Sequence, residues 1–347
     1  MVNIKSIEIA KLALAKQFSF VTPEKYGYHE ILSLQAMAKI GVMLSDQDII
    51  NHVVNTLRPF VQGRYQQRMG AYRFYNVGGA VSAYLLWKGL FKEADDVIRK
   101  ESQNLASNVP RGPKGFFATE LWNRGPDIVW IDLAFATAPF LMYSGLYFNN
   151  TGFQEEACRQ LVSMNELFLD RKIGLYHQCL GQLGPGKYSE DHWSRGNGWG
   201  LFALAETVSA CPIELEKQFG IRKILVERLK ACLKYQDNAG MWHQEMTDHE
   251  SYTETSGSGL ILFALGTAME LGIADEPMRK AFIKGLTGYS SYIALDGSVH
   301  NCCTGCMCPG KGTVEDYKNI SWKLNDVHAF GPVAHAFIQA SKLGIEL

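Results

Sequence analysis

Three short strings recur along the chain, and their recurrence limits the fold more than any single motif does. GLYHQ (174–178), GMWHQ (240–244) and GSVHN (297–301) each follow a charged amphipathic segment and precede a loop that leads into a small-residue, apolar segment. Before the first string, EEACRQLVSMNELFL (155–169) puts Ala157, Leu161, Met164 and Phe168 on one helical stripe with charges opposite. That is a surface helix with one buried face. The segments after the loops, LFALAETVSA (201–210), GLILFALGTAMELG (259–272) and GPVAHAFIQAS (331–341), are apolar or small nearly all round, as buried helices are.

The same inner signature occurs three more times upstream, at 26–41, 74–91 and 128–148. Inner segments therefore start near Tyr28, Asn76, Ile131, Gly196, Thr255 and Asp326, separated by 48, 55, 65, 59 and 71 residues. Two helices and two loops fill such a period, whereas tetratricopeptide and HEAT repeats are shorter. Strand-like alternation is confined to the pieces around FYNV (74–77) and GLYHQ. The pattern predicts twelve helices in two concentric layers, an all-α (α/α)6 barrel forming one domain over residues 1–347. An open solenoid of six hairpins is the competing architecture.

In a closed barrel every inner helix is entered from one end, so the six preceding loops converge over one mouth. Those loops read YGYH, RFYN, VWID, HWSRGNGW, SYTETSGS and NDVHAFG, rich in Trp, Tyr, His and Asn. Polar aromatics around a common axis predict a pocket. The net charge of −1 provides no polybasic field, so neither nucleic acid nor an anionic membrane is an expected partner. The first residues place Lys5, Glu8, Lys11 and Lys16 inside what would be a signal peptide's apolar core. They read as an amphipathic helix, and with eight cysteines as free thiols they suggest a cytoplasmic protein. Cys158, Cys179, Cys211 and Cys232 read as small buried hydrophobes. Cys302, Cys303, Cys306 and Cys308 read as a tight Gly/Pro loop with accessible thiols, in preference to a structural metal.

Asp132 opens an otherwise apolar inner segment two residues after Trp130. A helix N-cap is its simplest role, but apolar surroundings raise a carboxyl pKa as a general acid requires, and Trp130 offers a ring for stacking on a sugar. HWSRGNGWG (192–200) reads as a loop where backbone approaches a ligand, with Trp193 and Trp199 as ligand-facing rings and Arg195 as a carboxylate fork. His177 and His243 hold equivalent places in two units, so part of their role is structural. Glu254 and Asp326 are natural caps of the fifth and sixth inner helices. No GxSxG, Walker, HExxH or Rossmann signature is present.

VWIDLAFATAPFL, GLYHQ, HWSRGNGW, SYTETSGSG and NDVHAFGP, in that order, resemble family 105 of the glycoside hydrolases, the unsaturated rhamnogalacturonyl hydrolases, related to the unsaturated glucuronyl hydrolases of family 88. The resemblance runs from about Tyr26 to the carboxyl terminus, and it implies an (α/α)6 barrel. It also implies a lyase-generated oligosaccharide substrate, of rhamnogalacturonan or pectin type, whose terminal uronate carries a C4=C5 double bond and is released by hydration of that enol ether. Asp132 matches the family's general acid/base. Arg195 matches a uronate-binding position, Trp130, Trp193 and Trp199 aromatic walls, and His177 a polar contact; Tyr252 and His328 are further expected substrate-binding residues. At Asn76 relatives often carry a second pocket Asp. No metal or other cofactor is expected. The alternatives are an inverting glycosidase using Glu254 or Asp326 as its second carboxylate, and a non-catalytic oligosaccharide-binding protein.

Overall fold

A computed structural model describes residues 5–65, 72–118 and 125–347. Its helices are α1 (Ser6–Phe18), α2 (Tyr28–Leu44), α3 (Gln47–Val61), α4 (Gly79–Trp87), α5 (Asp95–Asn108), α6 (Leu133–Tyr147), α7 (Thr151–Phe168), α8 (Ser194–Ala210), α9 (Ile213–Phe219), α10 (Ile221–Leu233), α11 (Thr255–Glu270), α12 (Glu276–Ser290), α13 (Val314–Lys318) and α14 (Phe330–Lys342). Fourteen α-helices among the described residues exceed the expected twelve by two short ones. One expected outer segment is broken into α9 and α10 by Gly220, which takes φ 66°, a conformation that suits glycine. The other extra, α13, lies in the long crossing between β3 (Cys302–Cys303) and β4 (Trp322–Lys323).

Six helices form a closed ring: α2 packs on α4, α4 on α6, α6 on α8, α8 on α11, α11 on α14, and α14 back on α2. That last contact excludes the open solenoid. It is sealed by His335, whose Nε2 lies 3.2 Å from the Leu32 carbonyl, and by α1, where Ser6 Oγ donates to the Ile345 carbonyl at 2.7 Å. Composition sorts the layers. Every residue of α6 from Leu133 to Gly145, and of α11 from Thr255 to Ala268, is buried. In α7, Ala157, Leu161, Met164 and Phe168 form the buried stripe that the periodicity predicts. Strand content among the described residues is four two-residue pieces, β1 (Val129–Trp130) with β2 (Cys179–Leu180) and β3 with β4, both antiparallel. FYNV is not strand-like. It belongs to a 3-10 turn over Arg73–Val77, ended by the positive φ of Gly78 and Gly79.

The three recurrent strings have a common job. The carbonyl of Gln178 accepts from Ile131 N–H at 2.9 Å, that of Gln244 from Ser194 N–H at 3.1 Å, and that of Asn301 from Thr255 N–H at 3.1 Å. The last residue of each string thus ties down the entrance to the preceding inner helix. Every tied residue is followed by one whose side chain belongs to the mouth: Asp132, Arg195 and Ser256.

At the opposite end, Glu206 of α8 is fully buried and receives Gln35 Nε2 at 3.1 Å, the Lys39 ammonium and the Tyr143 hydroxyl, linking α2, α6 and α8. Removing one member of such a buried group leaves the other charge uncompensated. Glu206→Ala is therefore expected to cost about 3–5 kcal/mol in chemical denaturation. Lys39→Met, which leaves the fully buried Glu206 carboxylate without its cation, should cost a comparable amount.

Candidate active site

Asp132 stands directly before α6, in the cap position but with helical φ and ψ of −52° and −27° and no capping hydrogen bond from its side chain. The capping role expected of any Asp at this place is therefore not what holds it. The residue is part-exposed as a whole, but its Oδ2 is covered and has no protein partner. Burial pushes its carboxyl up to about 6. Its own N–H, the Arg195 guanidinium and the Gln178 amide pull the other way, while the Asp191 carboxylate adds to the rise. A carboxyl poised near neutrality with an unused oxygen has the properties of a proton donor.

Arg195, one residue into α8, is 1% exposed. It donates to the carbonyls of Cys303 and Thr304, each at 2.6 Å, and to Ser256 Oγ at 3.2 Å, and its guanidinium lies 4.6 Å from the Trp193 ring centre. Among the described residues no carboxylate is ion-paired with it. Dipoles hold the fork in place without cancelling its charge, so the mouth keeps a fixed positive centre electrostatically coupled to Asp132.

A hydrogen-bonded chain completes this face. His328 Nδ1 lies 2.6 Å from Asp326 Oδ1, and its Nε2 lies 2.8 Å from the Tyr28 hydroxyl. A carboxylate only accepts, so Nδ1 carries the proton, Nε2 is the acceptor, and the Tyr28 O–H donates to it. His328 is held well below the usual imidazole range by burial, with Arg195 and His29 adding repulsion, although Asp326 opposes this. Tyr28 stays a phenol, its pKa raised by burial. Its oxygen lone pairs are left for a partner in the mouth, where Asp132 and Arg195 are its charged neighbours. Tyr28, Gln178 and Asp191 escaped the sequence reading. The signal for Tyr28 was its place at the start of an inner helix.

The glycine-rich motif is a helix, not a ligand loop. Ser194–Ala210 is continuous, and its glycines admit neighbours: a Cβ on Gly198 would lie 2.9 Å from Leu260 Cβ. On the α11 side, a Cβ on Gly257 would lie 2.4 Å from the Ser194 carbonyl carbon. Close approach of α8 and α11 offsets the propensity cost of about 1 kcal/mol per glycine. Trp199 is buried and stacks on Phe135 at 4.0 Å and 18°, while its neighbours across the ring are Tyr28 and His328. Trp193 is buried against Cys303, Cys306 and Tyr317. Trp130 is buried in β1 with its Nε1 unpartnered. Tyr252 is half-buried beside Cys303, Glu254 and Arg195. Asn76 is half-buried in the turn whose Tyr75 adjoins Tyr28 and Asp132. His177 turns to Asp170, His192 and Tyr188.

The four-cysteine segment is also corrected. All eight thiols are free, but Cys302, Cys303, Cys306 and Cys308 are buried, so none of the four is an accessible thiol. Cys302 and Cys303 pair as β3, and their segment supplies the carbonyls that hold Arg195. Glu254 is fully buried and caps α11, accepting from Ser256 N, Gly257 N, Cys303 N, Ser256 Oγ and Ser194 Oγ at 2.6–3.1 Å. Asp326 accepts from His328 N–H and Nδ1–H. Neither suspected second carboxylate is idle.

Two outcomes follow. Glu254→Ala should lose on the order of 3 kcal/mol of unfolding free energy, since several buried donors are stranded together. For Asp132 the folded pKa of about 6 exceeds the ordinary unfolded value of about 4. Its contribution is therefore present below pH ~4 and lost as pH rises through ~6. Asp132→Asn should match the unaltered protein in stability near pH 4 and exceed it by on the order of 2 kcal/mol at pH 7.5.

Comparison with known proteins agrees with this architecture. The family model described as Glycosyl Hydrolase Family 88 matches residues 2–343. A curated relative, the unsaturated rhamnogalacturonyl hydrolase YesR of Bacillus subtilis (strain 168), is 24% identical over 198 residues, 57% of this chain and 55% of that protein. An unsaturated 3S-rhamnoglycuronyl hydrolase of Formosa agariphila is 24% identical over 45% of this chain and 44% of its own. The chain thus spans about half the length of these curated relatives. Among solved structures, a family 105 glycoside hydrolase of C. acetobutylicum ATCC 824 superposes with TM-score 0.80 at 21% identity, covering 98% of this chain and 100% of that one. An unsaturated glucuronyl hydrolase of Bacillus sp. GL1 gives TM-score 0.66 at 12% identity, covering 98% and 97%. These likenesses show the shared barrel fold.

Proposed function

The chain belongs to glycosyl hydrolase family 88, and on that premise we propose that it is a glycoside hydrolase that removes a 4,5-unsaturated uronic acid from the non-reducing end of lyase-generated oligosaccharides, with rhamnogalacturonan-type fragments as the leading substrates. The observation that carries the reading is the pairing of a buried, partner-free carboxyl oxygen on Asp132 with the uncancelled charge of Arg195 in one mouth. The names of both curated relatives point to the same substrate class.

The chemistry asked of the site is hydration of an enol ether. Asp132 in its acid form protonates C4, positive charge develops at C5 and the ring oxygen, and water adds to C5. The Asp132 carboxylate then takes a proton from that water, and the resulting hemiketal opens to release the remaining saccharide. One carboxyl serves both transfers, so the two-carboxylate spacing of ordinary glycosidases is not needed. Arg195 supplies the counter-charge for the substrate carboxylate. The Tyr28 oxygen, oriented by His328 and Asp326, is an acceptor for a sugar hydroxyl or the attacking water. Trp130 and Trp199 bound the sugar's apolar face, while Asn76, Trp193, Tyr252 and His328 complete or support the pocket. The inverting alternative is disfavoured because Glu254 and Asp326 are committed to hydrogen bonds.

Loss of the ultraviolet absorbance of the C4=C5 bond is the direct assay. Asp132→Asn should lower kcat by about 10²–10⁴-fold while remaining folded. Turnover at the unaltered rate would remove Asp132 from the reaction. Because the acid form is required first, kcat/KM should fall about tenfold per pH unit above ~6, the value to which burial raises this carboxyl. Equal turnover of saturated oligosaccharides would favour the inverting reading instead.

A further inference from the structure

Next to Gln178 and Trp193 in the chain, a second group of side chains converges that the proposed hydration does not use. Asp170 Oδ2, His177 Nε2 and His192 Nε2 lie within 4.8 Å of one another, with Asp170 Oδ2 3.2 Å from His192 Nε2 and 4.0 Å from His177 Nε2. Two of the three are oriented from behind. Asp170 Oδ1 accepts from the N–H groups of Lys172 and Ile173 at 2.8 and 3.2 Å, leaving Oδ2 to face the rings. His177 Nδ1 lies 3.1 Å from the Asp191 carbonyl. A carbonyl only accepts, so that nitrogen carries the hydrogen, and Nε2 is the ring atom turned to the carboxylate. A cation between that nitrogen and Asp170 Oδ2, a proton or a metal ion, would join the two.

His192 gives an independent sign. Its side chain is 8% exposed, yet its buried Nδ1 has no hydrogen-bond partner, and the nearest carboxylate oxygen, Glu245 Oε1, stands 3.7 Å away. If Nε2 binds a cation, Nδ1 must carry the hydrogen and point to Glu245. That is the carboxylate–histidine–metal relay by which proteins fix a ligating imidazole. Glu245 is itself held in place, receiving His192 N–H on Oε2 and Thr247 Oγ1 on Oε1.

We propose that Asp170, His177 and His192 form a site for a divalent transition-metal ion of zinc type, with Glu245 and the Asp191 carbonyl orienting the two imidazoles and water completing a tetrahedron. The donor set decides the class. Two imidazoles and one carboxylate suit zinc, whereas magnesium and calcium take oxygen ligands. Ligand atoms around a tetrahedral zinc with bonds of about 2.0–2.1 Å stand roughly 3.4 Å apart, so small side-chain movements suffice. The ion would clamp the turn after α7, the segment carrying Gln178, and the approach to α8 with Arg195. Its expected role is to stiffen the segments that carry Gln178 and Arg195.

The repeat supplies an internal control. In the next unit Asp237 Oδ2 lies 3.2 Å from His243 Nε2, and His243 Nδ1 faces the Ser251 carbonyl, which reproduces the Asp–His clamp. The third histidine there, His249, is exposed, with its ring tilted 4.8 Å from that of His243, and among the described residues it joins no three-donor group.

The test is titration of the chelator-treated full chain with Co²⁺, read by visible d–d absorption, and with Zn²⁺ by calorimetry. The expected result is one ion per chain, a tetrahedral cobalt spectrum without thiolate charge-transfer bands, and retention of binding in His243→Gln. His192→Gln and His177→Gln, each checked for native circular dichroism, should weaken binding at least 100-fold. Absence of binding below millimolar metal, thiolate bands in the spectrum, or equal binding by His192→Gln and His177→Gln would overturn the proposal. If either variant misfolds, Asp170→Asn takes its place, with the same expected loss. The hydrolysis assay is separate, so inactivity towards unsaturated uronides leaves this result readable.

Discussion

Everything at the mouth depends on one repeated hydrogen bond. The closing carbonyls of the strings at Gln178, Gln244 and Asn301 accept the amides of Ile131, Ser194 and Thr255, so three outer-to-inner crossings are sewn to the inner helix of the unit before. The residue after each tied amide is forced towards the axis. Asp132, Arg195 and Ser256 meet there because they occupy one structural position in three consecutive units. A barrel makes such convergence inexpensive, since each inner helix enters from the same end and neighbouring entrances are adjacent in space.

The two ends of the ring handle buried charge differently. At the far end, Glu206 is met by a cation, an amide and a phenol, and the arrangement serves cohesion. At the mouth, Arg195 is held by neutral carbonyls and Asp132 keeps an oxygen without a partner. Incomplete satisfaction costs stability, and it also preserves the charge and proton on which the proposed reaction would draw. The Asp326–His328–Tyr28 chain fits this division. Its inner members are bonded to one another, and its last oxygen is offered to the mouth.

Periodicity made the architecture legible. Segments apolar all round alternate with segments apolar on one stripe, and burial follows that contrast in α6 and α7. Asp132 stood out for a related reason, being a charge where the pattern demands none. Local composition misled where the decisive partner lay far along the chain. Gly196, Gly198 and Gly200 read as loop material, but they are helical spacers against α11 and the Tyr176 and Ile131 side chains. The cysteines at 302–308 read as an exposed turn, but β4 and the α8 entrance cover them.

By itself the sequence determined the number of units, the division into inner and outer helices, and the end at which polar aromatics gather. Each of these follows from the order of apolar and polar residues within one or two helical turns. Ring closure, the hydrogen-bonding commitments of Glu254 and Asp326, the recruitment of Tyr28, and the gathering of Asp170, His177 and His192 were decided only by tertiary structure. These depend on which distant side chains arrive within 3 to 4 Å, a matter of packing between helices that no local pattern of residues encodes.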